Sequence, residues 1–400
     1  MRRLTSILCF ALLLAPAPAA AQDAWLTRTL AFQSRLSDPL PLRNAAWLGT
    51  HNSFNTKTEA PTVSGLDNNQ QVSLGEQLDL GMRSLELDVH FFPSVFAGGL
   101  AAPVVCHARG EDELHAGCST ERLFDARLME IRTWLDAHPR EFVLLYIEDA
   151  LGGDEGHNAA AKMLSDVLGD KLYKPIPTAA HPSCVPMPLD TSRVQMRAAG
   201  AQVLAISHCG AGTAWPALVW DDAERAKYEE GPDGYEAYPA CDPDDERTPA
   251  FYQQHFMRFF EDSTQLSAAV DGPSDGITPA IAGAMIRCGV DLFGFDQLVP
   301  DDPRLSAVVW TWTPGAPRRA GCTLERASDA RWRVATCSTR RRVACVSAGT
   351  WSLGKKAAFG AAKCRRGRFG VPRTGLDAQL LHDAMVAAGA HSAWVRHRVR

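Results

Sequence analysis

The sequence predicts an α/β fold in which a TIM-type (β/α) barrel, regular or distorted, is followed by a small disulfide-containing α+β module. Strand-like and helix-like patterns alternate through residues 45–295, which indicates a parallel sheet that closes most economically as a barrel. Several apolar strands end on ionisable residues, as expected at the carboxyl edge of such a sheet. The charge balance changes sign after residue 317, which indicates two modules.

The elements of the predicted barrel follow from hydrophobic periodicity and from proline stops. We predict strands over residues 45–50, 84–91, 103–107, 142–147, 203–206 and 290–295. We predict helices over residues 120–138, 159–168, 249–260 and 279–288. The first helix illustrates the reasoning, because Leu128, Ile131 and Leu135 fall at helical spacing and Pro139 ends the pattern.

Residues 1–21 have the pattern of an export signal, with Arg2 and Arg3 before a short apolar core and three alanines before Gln22. The apolar core is too short to span a bilayer as a helix. A buried N-terminal helix is the rival interpretation. We therefore expect a secreted or periplasmic protein with a catalytic barrel over residues 22–310 and a second module over residues 311–400.

The cysteines indicate disulfides. Of 11 cysteines, Cys9 lies in the predicted signal, and the remaining even number suits an exported chain. Proximity in the sequence suggests three pairs, although spacing alone does not fix connectivity: Cys106–Cys118, Cys184–Cys209 and Cys241–Cys288. A zinc site is disfavoured because no paired C-x-x-C is present.

The charge distribution supports the division into modules. Residues 318–400 contain 18 lysines and arginines against 4 aspartates and glutamates, a net charge of +14. The preceding residues carry −19, and the whole chain therefore carries −5. Such an imbalance indicates two segments with different surfaces.

Four polar residues near the strand ends offer only oxygen ligands, namely Asn52, Glu86, Asp88 and Glu148. Oxygen ligands favour a hard cation, either calcium or magnesium, over zinc. Glu86 and Asp88 are two residues apart on a strand and should point to the same face. Such a cation would neutralise a phosphate oxygen and activate an attacking hydroxyl.

Two histidines and an arginine complete a candidate phosphodiester site. His51 and His107 lie on different predicted strands and suit an acid–base pair. Arg83 lies on the same strand as the acidic pair, where it either contacts phosphate or pairs with an acid. The combination predicts metal-assisted cleavage of a phosphodiester.

The stretches GTHNSF, LDLGMRSLELDVH, PVVCH and EFVLLYIED, in this order, resemble the catalytic half of phosphoinositide-specific phospholipase C. They are most similar to the calcium-dependent kind, including a bacterial and fungal branch in which IRTWLDAHPREF also has a counterpart. The resemblance covers roughly residues 44–310 and is strongest up to residue 150.

This resemblance implies a role for each matched residue. His51 would contact the phosphate, and His107 would protonate the leaving alcohol. Asn52, Glu86, Asp88 and Glu148 match the calcium-ligand positions, and Glu148 is our candidate for the general base that activates the inositol 2-hydroxyl. Calcium-independent relatives have an arginine where this chain has Asp88, so the resemblance favours a metal-dependent enzyme.

The resemblance also implies phosphatidylinositol as substrate, cleaved at a phospholipid membrane surface to diacylglycerol and a cyclic inositol phosphate. Members that act on polyphosphorylated headgroups have lysines on mid-barrel strands, whereas residues 203–208 contain none. His208 and Asp296 are further candidates for binding the headgroup or orienting a histidine. We expect a monomer.

Two alternatives to this function remain. Glycerophosphodiester phosphodiesterases share the barrel, but they usually have a His-Arg-Gly opening where this chain has His51-Asn52-Ser53. A non-catalytic lipid-binding barrel is the second alternative. The full set of histidines and oxygen ligands argues against it.

Residues 311–400 resemble a C-type-lectin-like domain whose two halves are in reversed order. This resemblance implies the pairs Cys322–Cys337 and Cys345–Cys364, and the absence of a calcium-binding lectin tripeptide means that it does not imply sugar binding. Basic runs at 340–342 and 363–368 suit an anionic lipid surface. A solvated face, or docking on the acidic barrel, is the alternative, and we expect no nucleic-acid partner because no recognised binding motif is present.

Overall fold

The computed structural model of the protein describes residues 19–58, 68–107, 117–222, 228–229, 235–241, 248–259, 266 and 276–400. Residues 1–18 of the predicted export signal lie outside the described residues. The first helix begins at Ala19 and buries Trp25, Leu26 and Leu30. Within the described part of the chain, no helix combines the length and the apolar character that crossing a membrane requires.

The described residues contain α-helices and short 3-10 helices. The α-helices are α1 (Ala19–Ser37), α2 (Leu74–Asp79), α3 (Phe124–Ala137), α4 (Asp154–Leu168), α5 (Arg193–Ala198), α6 (Pro249–Tyr252), α7 (Pro279–Cys288), α8 (Pro303–Ala307) and α9 (Gly375–Ala387). Short 3-10 helices cover Leu42–Asn44, Val95–Ala97, Cys118–Thr120, Trp215–Ala217 and Phe359–Ala361.

The strands form two groups. The first group is β1 (Gly49–Thr50), β2 (Ser84–Pro93), β3 (Ala101–Val105), β4 (Val143–Ala150), β5 (Val203–Ser207), β6 (Trp220–Asp221), β7 (Tyr228–Glu229), β8 (Met257–Phe259) and β9 (Leu292–Phe293). The second group is β10 (Gly321–Arg326), β11 (Arg331–Ala335), β12 (Arg342–Ser347), β13 (Thr350–Leu353), β14 (Arg368–Phe369) and β15 (Ser392–Val399).

The first group confirms the predicted α/β architecture. A parallel ladder runs in the order β1-β2-β4-β5-β6, and a second parallel ladder runs in the order β7-β8-β9. Parallel bridges from Trp47 to Leu292 and from Thr50 to Phe295 join the two ladders. Among the described residues no ladder joins β6 to β7, so closure into a barrel stays a prediction.

One strand prediction and one helix prediction need correction. The third predicted strand does not run parallel to the others, because β3 pairs antiparallel with β2 as the second arm of a hairpin. The predicted helix over 249–260 is also wrong: α6 ends at Tyr252, and the aromatic-rich stretch that follows enters the sheet as β8. The sequence analysis also missed α1, α2, α5, α8 and α9.

The sheet has a distinct apolar layer on each face. Leu85 and Leu87 of β2 pack with α3 and α4 in one buried cluster. Tyr146 of β4 belongs to a second cluster on the opposite face. Because side chains alternate along a strand, Glu86 and Asp88 point to the same side as Tyr146, away from the helices. Both are nevertheless buried.

The second group of strands forms the small α+β module. Its six-stranded sheet has the order β11-β10-β15-β12-β13, with β14 beside β12. The module packs closely on α7, since a Cβ at Gly375 would lie 2.2 Å from the Ile286 carbonyl oxygen. Gln33 of α1 also bonds to Trp310, at the junction, with 2.7 Å between the Gln33 Oε1 and the Trp310 nitrogen. The C-type-lectin-like assignment and the boundary at residue 311 stay predictions.

All five predicted disulfides are confirmed. The bonded pairs are Cys106–Cys118, Cys184–Cys209, Cys241–Cys288, Cys322–Cys337 and Cys345–Cys364. Two of them lie inside the second module, and none joins it to the first. The contact between the modules is therefore non-covalent.

Candidate active site

The turn after β1 presents His51. A Cβ at Gly49 would lie 2.5 Å from the Ser84 Cβ, so the parallel ladder leaves room only for glycine. Asn52 has a φ of 43°, a left-handed conformation that asparagine tolerates better than most residues. The Ser53 hydroxyl accepts from the Glu86 backbone nitrogen at 2.9 Å, which fixes the turn against β2.

His51 is paired with the buried carboxylate of Asp296, at 3.2 Å between Nδ1 and Oδ2. Burial acts to lower the pKa of His51, but Asp296 and, less strongly, Glu86 and Asp88 outweigh it and raise the pKa to about 10. The imidazole is therefore a cation at neutral pH. From the sequence, Asp296 was a candidate either for orienting a histidine or for binding the headgroup. The structure places its carboxylate against His51.

Two amides that the sequence analysis missed hold this pair in place. Asn69 donates to Asp296 Oδ2 at 3.1 Å, and Gln70 donates to Asp296 Oδ1 at 3.2 Å. Gln70 also donates to the His51 carbonyl oxygen at 2.7 Å. Both amides are fully buried. Their polar stretch Asn68-Asn69-Gln70-Gln71 resembles an ordinary surface loop, so the sequence contained no signal for this role.

Three carboxylates converge beside His51. Asp88 of β2 lies directly opposite Glu148 of β4 in the parallel ladder, and Glu86 precedes Asp88 by two residues. One oxygen from each lies within 4.8 Å of the others, a spacing that could hold a metal ion. Burial, followed by the charges of Glu148 and Glu86, raises the pKa of the Asp88 carboxyl well above its ordinary value.

The Asn52 side-chain amide completes this set of ligands. One end of the amide lies 2.8 and 2.7 Å from the two carboxylate oxygens of Asp88, and the other end lies 3.1 Å from His51 Nε2. With the nitrogen toward Asp88, the amide donates to the carboxylate and accepts from the imidazole. With the oxygen toward Asp88, it joins an oxygen-only cluster of the kind that binds a hard cation.

Arg258 of β8 lies beside the carboxylates and was also missed. Its guanidinium is 3.3 Å from Glu86 Oε1 and stacks on the Tyr146 ring, with 3.5 Å between the guanidinium carbon and the ring centroid. Glu86 and Tyr146 are direct neighbours in the ladder. The sequence analysis predicted a helix over residues 249–260. Because that prediction was wrong, it did not identify Arg258 as a strand residue whose side chain reaches Glu86.

His107 reaches the same region by way of the β2–β3 hairpin. The Cys106 backbone nitrogen donates to the Asp88 carbonyl oxygen at 3.2 Å, and the Cys106–Cys118 disulfide anchors this return strand. His107 follows Cys106 and is exposed. It therefore lies next to β2 close to Asp88, although its strand runs opposite to the predicted direction.

Two other candidates differ in position. Arg83 lies five residues before Asp88, roughly 16 Å along an extended strand. Its guanidinium bonds to Glu141 at 2.9 Å, so the structure does not bring it to the cluster. His208 follows β5, and its Nδ1 lies 2.8 Å from Oδ1 of buried Asp222. The ladder continues the row of Asp88 and Glu148 toward His208.

The arrangement combines a fixed imidazolium with a compact group of anionic oxygens at one edge of a parallel sheet. A phosphate next to His51 would receive a charge-assisted hydrogen bond. A hard cation among the carboxylates would contact the same phosphate from another side. Such a site suits reactions at phosphorus.

Comparison with known proteins agrees with this chemistry. Residues 10–302 match the family model described as the Rv2075c PI-PLC-like domain. The chain is 40% identical over 403 residues to the uncharacterised protein Rv2075c of Mycobacterium tuberculosis, and the match covers 94% of this chain and 81% of that protein. The chain is also similar to PI-PLC X domain-containing protein 1 of Arthroderma benhamiae, 29% identical over 116 residues, which cover 27% of this chain and 30% of that protein.

Among solved structures, the chain is similar to phosphatidylinositol-specific phospholipase C from Listeria monocytogenes. The identity is 13%, the match covers 70% of this chain and 98% of that chain, and the TM-score is 0.44.

Proposed function

The chain belongs to the family of the Rv2075c PI-PLC-like domain, and from this premise we propose that it is a calcium-dependent phosphodiesterase that cleaves phosphatidylinositol. The products are diacylglycerol and a cyclic inositol phosphate. The observation that carries the proposal is the group of Glu86, Asp88 and Glu148 beside the His51–Asp296 pair. One edge of the sheet thus offers a cation site and an imidazolium to the same phosphate.

The donor set fits a calcium ion better than a transition metal. Glu86, Asp88, Glu148 and Asn52 offer only oxygen atoms, which calcium and magnesium prefer. Burial, followed by the charges of Glu148 and Glu86, raises the pKa of Asp88, and a cation bound among the three acids would offset both effects. The chemistry that a bound ion supplies is neutralisation of charge on a phosphate oxygen and acidification of a nearby hydroxyl.

His51 stabilises the charge that develops on phosphorus. Asp296 keeps the ring protonated, and when the Asn52 oxygen is directed toward the cation it no longer accepts the Nε2 proton, which is then available to a phosphate oxygen. Asn69 and Gln70 fix the Asp296 carboxylate, which means that little reorganisation is needed during the reaction. In this proposal His51 stays protonated and transfers no proton.

Glu148 and His107 move the two protons of the reaction. The inositol 2-hydroxyl gives its proton to Glu148 while its oxygen forms a bond to phosphorus. The bond from phosphorus to the diacylglycerol oxygen breaks, and His107 gives that oxygen a proton. The exposed position of His107 next to β2 is consistent with contact to a departing lipid alcohol.

The headgroup is proposed to be inositol without further phosphates. The stretch over residues 203–208 contains no lysine for an additional phosphate, and His208 with Asp222 offers hydrogen bonds to hydroxyl groups instead. The enzyme would act at a phospholipid membrane surface, as a secreted or periplasmic monomer.

A lipid-release assay tests this proposal. Phosphatidylinositol vesicles are incubated with the protein in calcium or in chelator, and diacylglycerol is quantified. We expect release only with calcium, and a fall of about 10²–10⁴-fold in His107→Ala, the range for loss of a general acid. Release that is equal in chelator would refute the metal requirement. Release of free inositol in place of diacylglycerol, with the phosphate left on the glycerol backbone, would indicate a glycerophosphodiesterase.

A further inference from the structure

The tip of the β2–β3 hairpin, residues 94–100, has an unusually apolar surface. Among the described residues, eight large apolar side chains are exposed, and three of them lie within this tip. Val95 is 59%, Phe96 is 62% and Leu100 is 73% exposed. Charged residues make up 22% of the whole chain, yet residues 91–106 contain none. The tip therefore presents apolar side chains without any charged neighbour in its own segment.

The tip projects beyond the edge at which the candidate site opens. The ladder between β2 and β4 ends where His90 faces Ala150, and β2 then continues to Pro93 with only β3 beside it. From Asp88 to Pro93 this extension is roughly 16 Å long. The return strand leads directly to His107. The apolar tip and the proposed active-site groups are thus parts of one hairpin.

Most backbone amide nitrogens of the tip donate hydrogen bonds within the tip itself. Each amide nitrogen from residue 96 to residue 100 donates within the tip: Phe96 to Ser94 Oγ at 3.2 Å, Ala97 to the Ser94 oxygen at 3.1 Å, Gly98 to the Val95 oxygen at 3.2 Å, Gly99 to the Ser94 oxygen at 2.8 Å and Leu100 to the Ala97 oxygen at 3.3 Å. The Ser94 nitrogen donates to the Leu100 oxygen at 3.0 Å. A segment enters lipid at low cost only if its backbone polar groups are paired internally.

We propose that the hairpin tip inserts into the apolar part of a phospholipid bilayer and holds the candidate site against the membrane surface. This inference rests on the proposed function, because a site for a lipid headgroup must lie at the surface where that headgroup is found. The internally bonded backbone favours lipid over a protein strand, since an added strand would need free donors. The lack of charge favours the bilayer interior over an acidic or basic polymer.

The basic module does not share this orientation. Leu376 of α9 packs against Gly289, which lies three residues before the start of β9, and Leu376 is therefore near the amino-terminal edge of that strand. The hairpin tip lies beyond the carboxyl edge of β2, which runs parallel to β9 in the joined ladders. The module thus contacts the opposite edge of the sheet. Insertion by the tip should accordingly need neither anionic lipid nor low salt.

Vesicle binding by the full chain tests the proposal. Sucrose-loaded vesicles of pure phosphatidylcholine are sedimented with the wild type, with V95S/F96S/L100S and with the matched control M129S/I176S/V386S. The control also removes three exposed apolar side chains, which are 50%, 65% and 60% exposed at other sites. Thermal unfolding and hydrolysis of a water-soluble inositol phosphodiester are measured in parallel.

We expect the tip variant to lose about tenfold or more in vesicle partition, the change expected when three apolar side chains no longer enter lipid. The control should bind like the wild type, and high salt should have little effect. All three proteins should hydrolyse the soluble substrate equally. A single tryptophan substitution, Phe96→Trp, should show a blue-shifted emission component when vesicles are added.

The outcomes separate the two proposals. A tip variant that binds vesicles like the wild type, or a wild type that does not bind phosphatidylcholine, overturns the membrane role of the hairpin. Binding that the control variant loses equally overturns it as well. Tip-dependent binding without hydrolysis of any inositol phosphodiester would uphold the membrane role and reject the proposed function.

Discussion

Asp296 determines the charge of His51, and with it the electrostatics of the site. The pKa of His51 is raised to about 10 in the folded chain, against an ordinary value of 6.5. Because the folded pKa lies above the unfolded one, the pair contributes its full stabilisation below pH 6.5 and loses it as the pH rises through about 10. Both stability and activity should therefore decline on the alkaline side.

Replacing Asp296 by Asn tests this dependence. The substitution removes the charge but keeps the shape, so we expect the pKa of His51 to fall by at least about one unit, which corresponds to about 1.4 kcal/mol. The alkaline limb of the pH–activity profile should move down in pH with it. Histidine ring resonances, followed by NMR in chelator, report the pKa directly. Asp222→Asn, which removes the carboxylate beside His208, is the matched control. An unchanged His51 titration would contradict the account.

Asp88 is destabilised by its neighbours unless a cation is present. Its pKa is raised by burial and by Glu148 and Glu86, so keeping it ionised at neutral pH costs stability. Asp88→Asn should stabilise the protein in chelator by about 0.5–2 kcal/mol, because it removes one of three close charges. The same substitution should abolish the rise in melting temperature that calcium gives the wild type.

Thermal unfolding in chelator and in calcium measures both effects of Asp88→Asn. Asp190→Asn serves as a control, since that carboxylate is largely exposed and pairs with Arg43 away from the cluster. If Asp88→Asn kept the full calcium-induced rise in melting temperature, Asp88 would not be a metal ligand.

At the scale of single residues, the sequence indicates which side chains are functional candidates, but it does not indicate which side chains contact one another. Glu86 and Asp88 are recognisable because two acids alternate within an apolar strand, which only a functional site or a surface explains. Arg83 was a candidate because it is a charged residue next to the same strand, yet it pairs with Glu141 at the start of that strand. Arg258 reaches Glu86 from a strand distant in sequence. Such a contact depends on tertiary packing and leaves no local pattern.

At the scale of elements, the parallel strands follow from the sequence but the direction of β3 does not. An apolar run such as 103–107 is equally compatible with a parallel strand and with the returning arm of a hairpin. The turn that decides the direction contains Gly98 and Gly99, both with positive φ. The length of β2 beyond its pairing with β4, which gives the hairpin its reach, is likewise set by packing.

The first strand gives an element-scale prediction. Gly49→Ala would place a Cβ 2.5 Å from the Ser84 Cβ and 2.7 Å from the Phe293 carbonyl oxygen, where the backbone cannot easily move. We expect a loss of about 1–3 kcal/mol in the free energy of unfolding. Gly75→Ala in α2 is the control, because nothing lies within 4 Å of its Cβ position. Urea unfolding compares the two, and equal stabilities would contradict the tight joint between β1, β2 and β9.

At the scale of the whole molecule, the charge division predicts two modules but not how they are joined. One hydrophobic cluster contains Trp25 of α1, Ile286 of α7 and Leu381 of α9, so the modules share a core. The charge pattern describes surfaces and has no information about this buried contact. Helix α1, which the sequence analysis missed, forms part of the same junction.

The shared core predicts cooperative unfolding. Leu381→Ala removes a fully buried side chain, and we expect a loss of about 2–5 kcal/mol in the free energy of unfolding. Because the cluster spans both modules, denaturant transitions followed by tryptophan fluorescence and by loss of hydrolysis should coincide. Val386→Ala, on the same helix but 60% exposed, should have little effect. Separate transitions in the wild type would show that the modules are energetically independent.

The central claim is that this site directs an intramolecular attack at phosphorus with the help of a cation. The most direct measurement is phosphorus NMR of the water-soluble product while the full chain acts on phosphatidylinositol vesicles. The account predicts the resonance of a five-membered cyclic phosphodiester that appears with calcium, is absent in chelator and is lost in His107→Ala. An acyclic inositol phosphate as the first product, or no phosphorus product from folded protein with calcium, would contradict it.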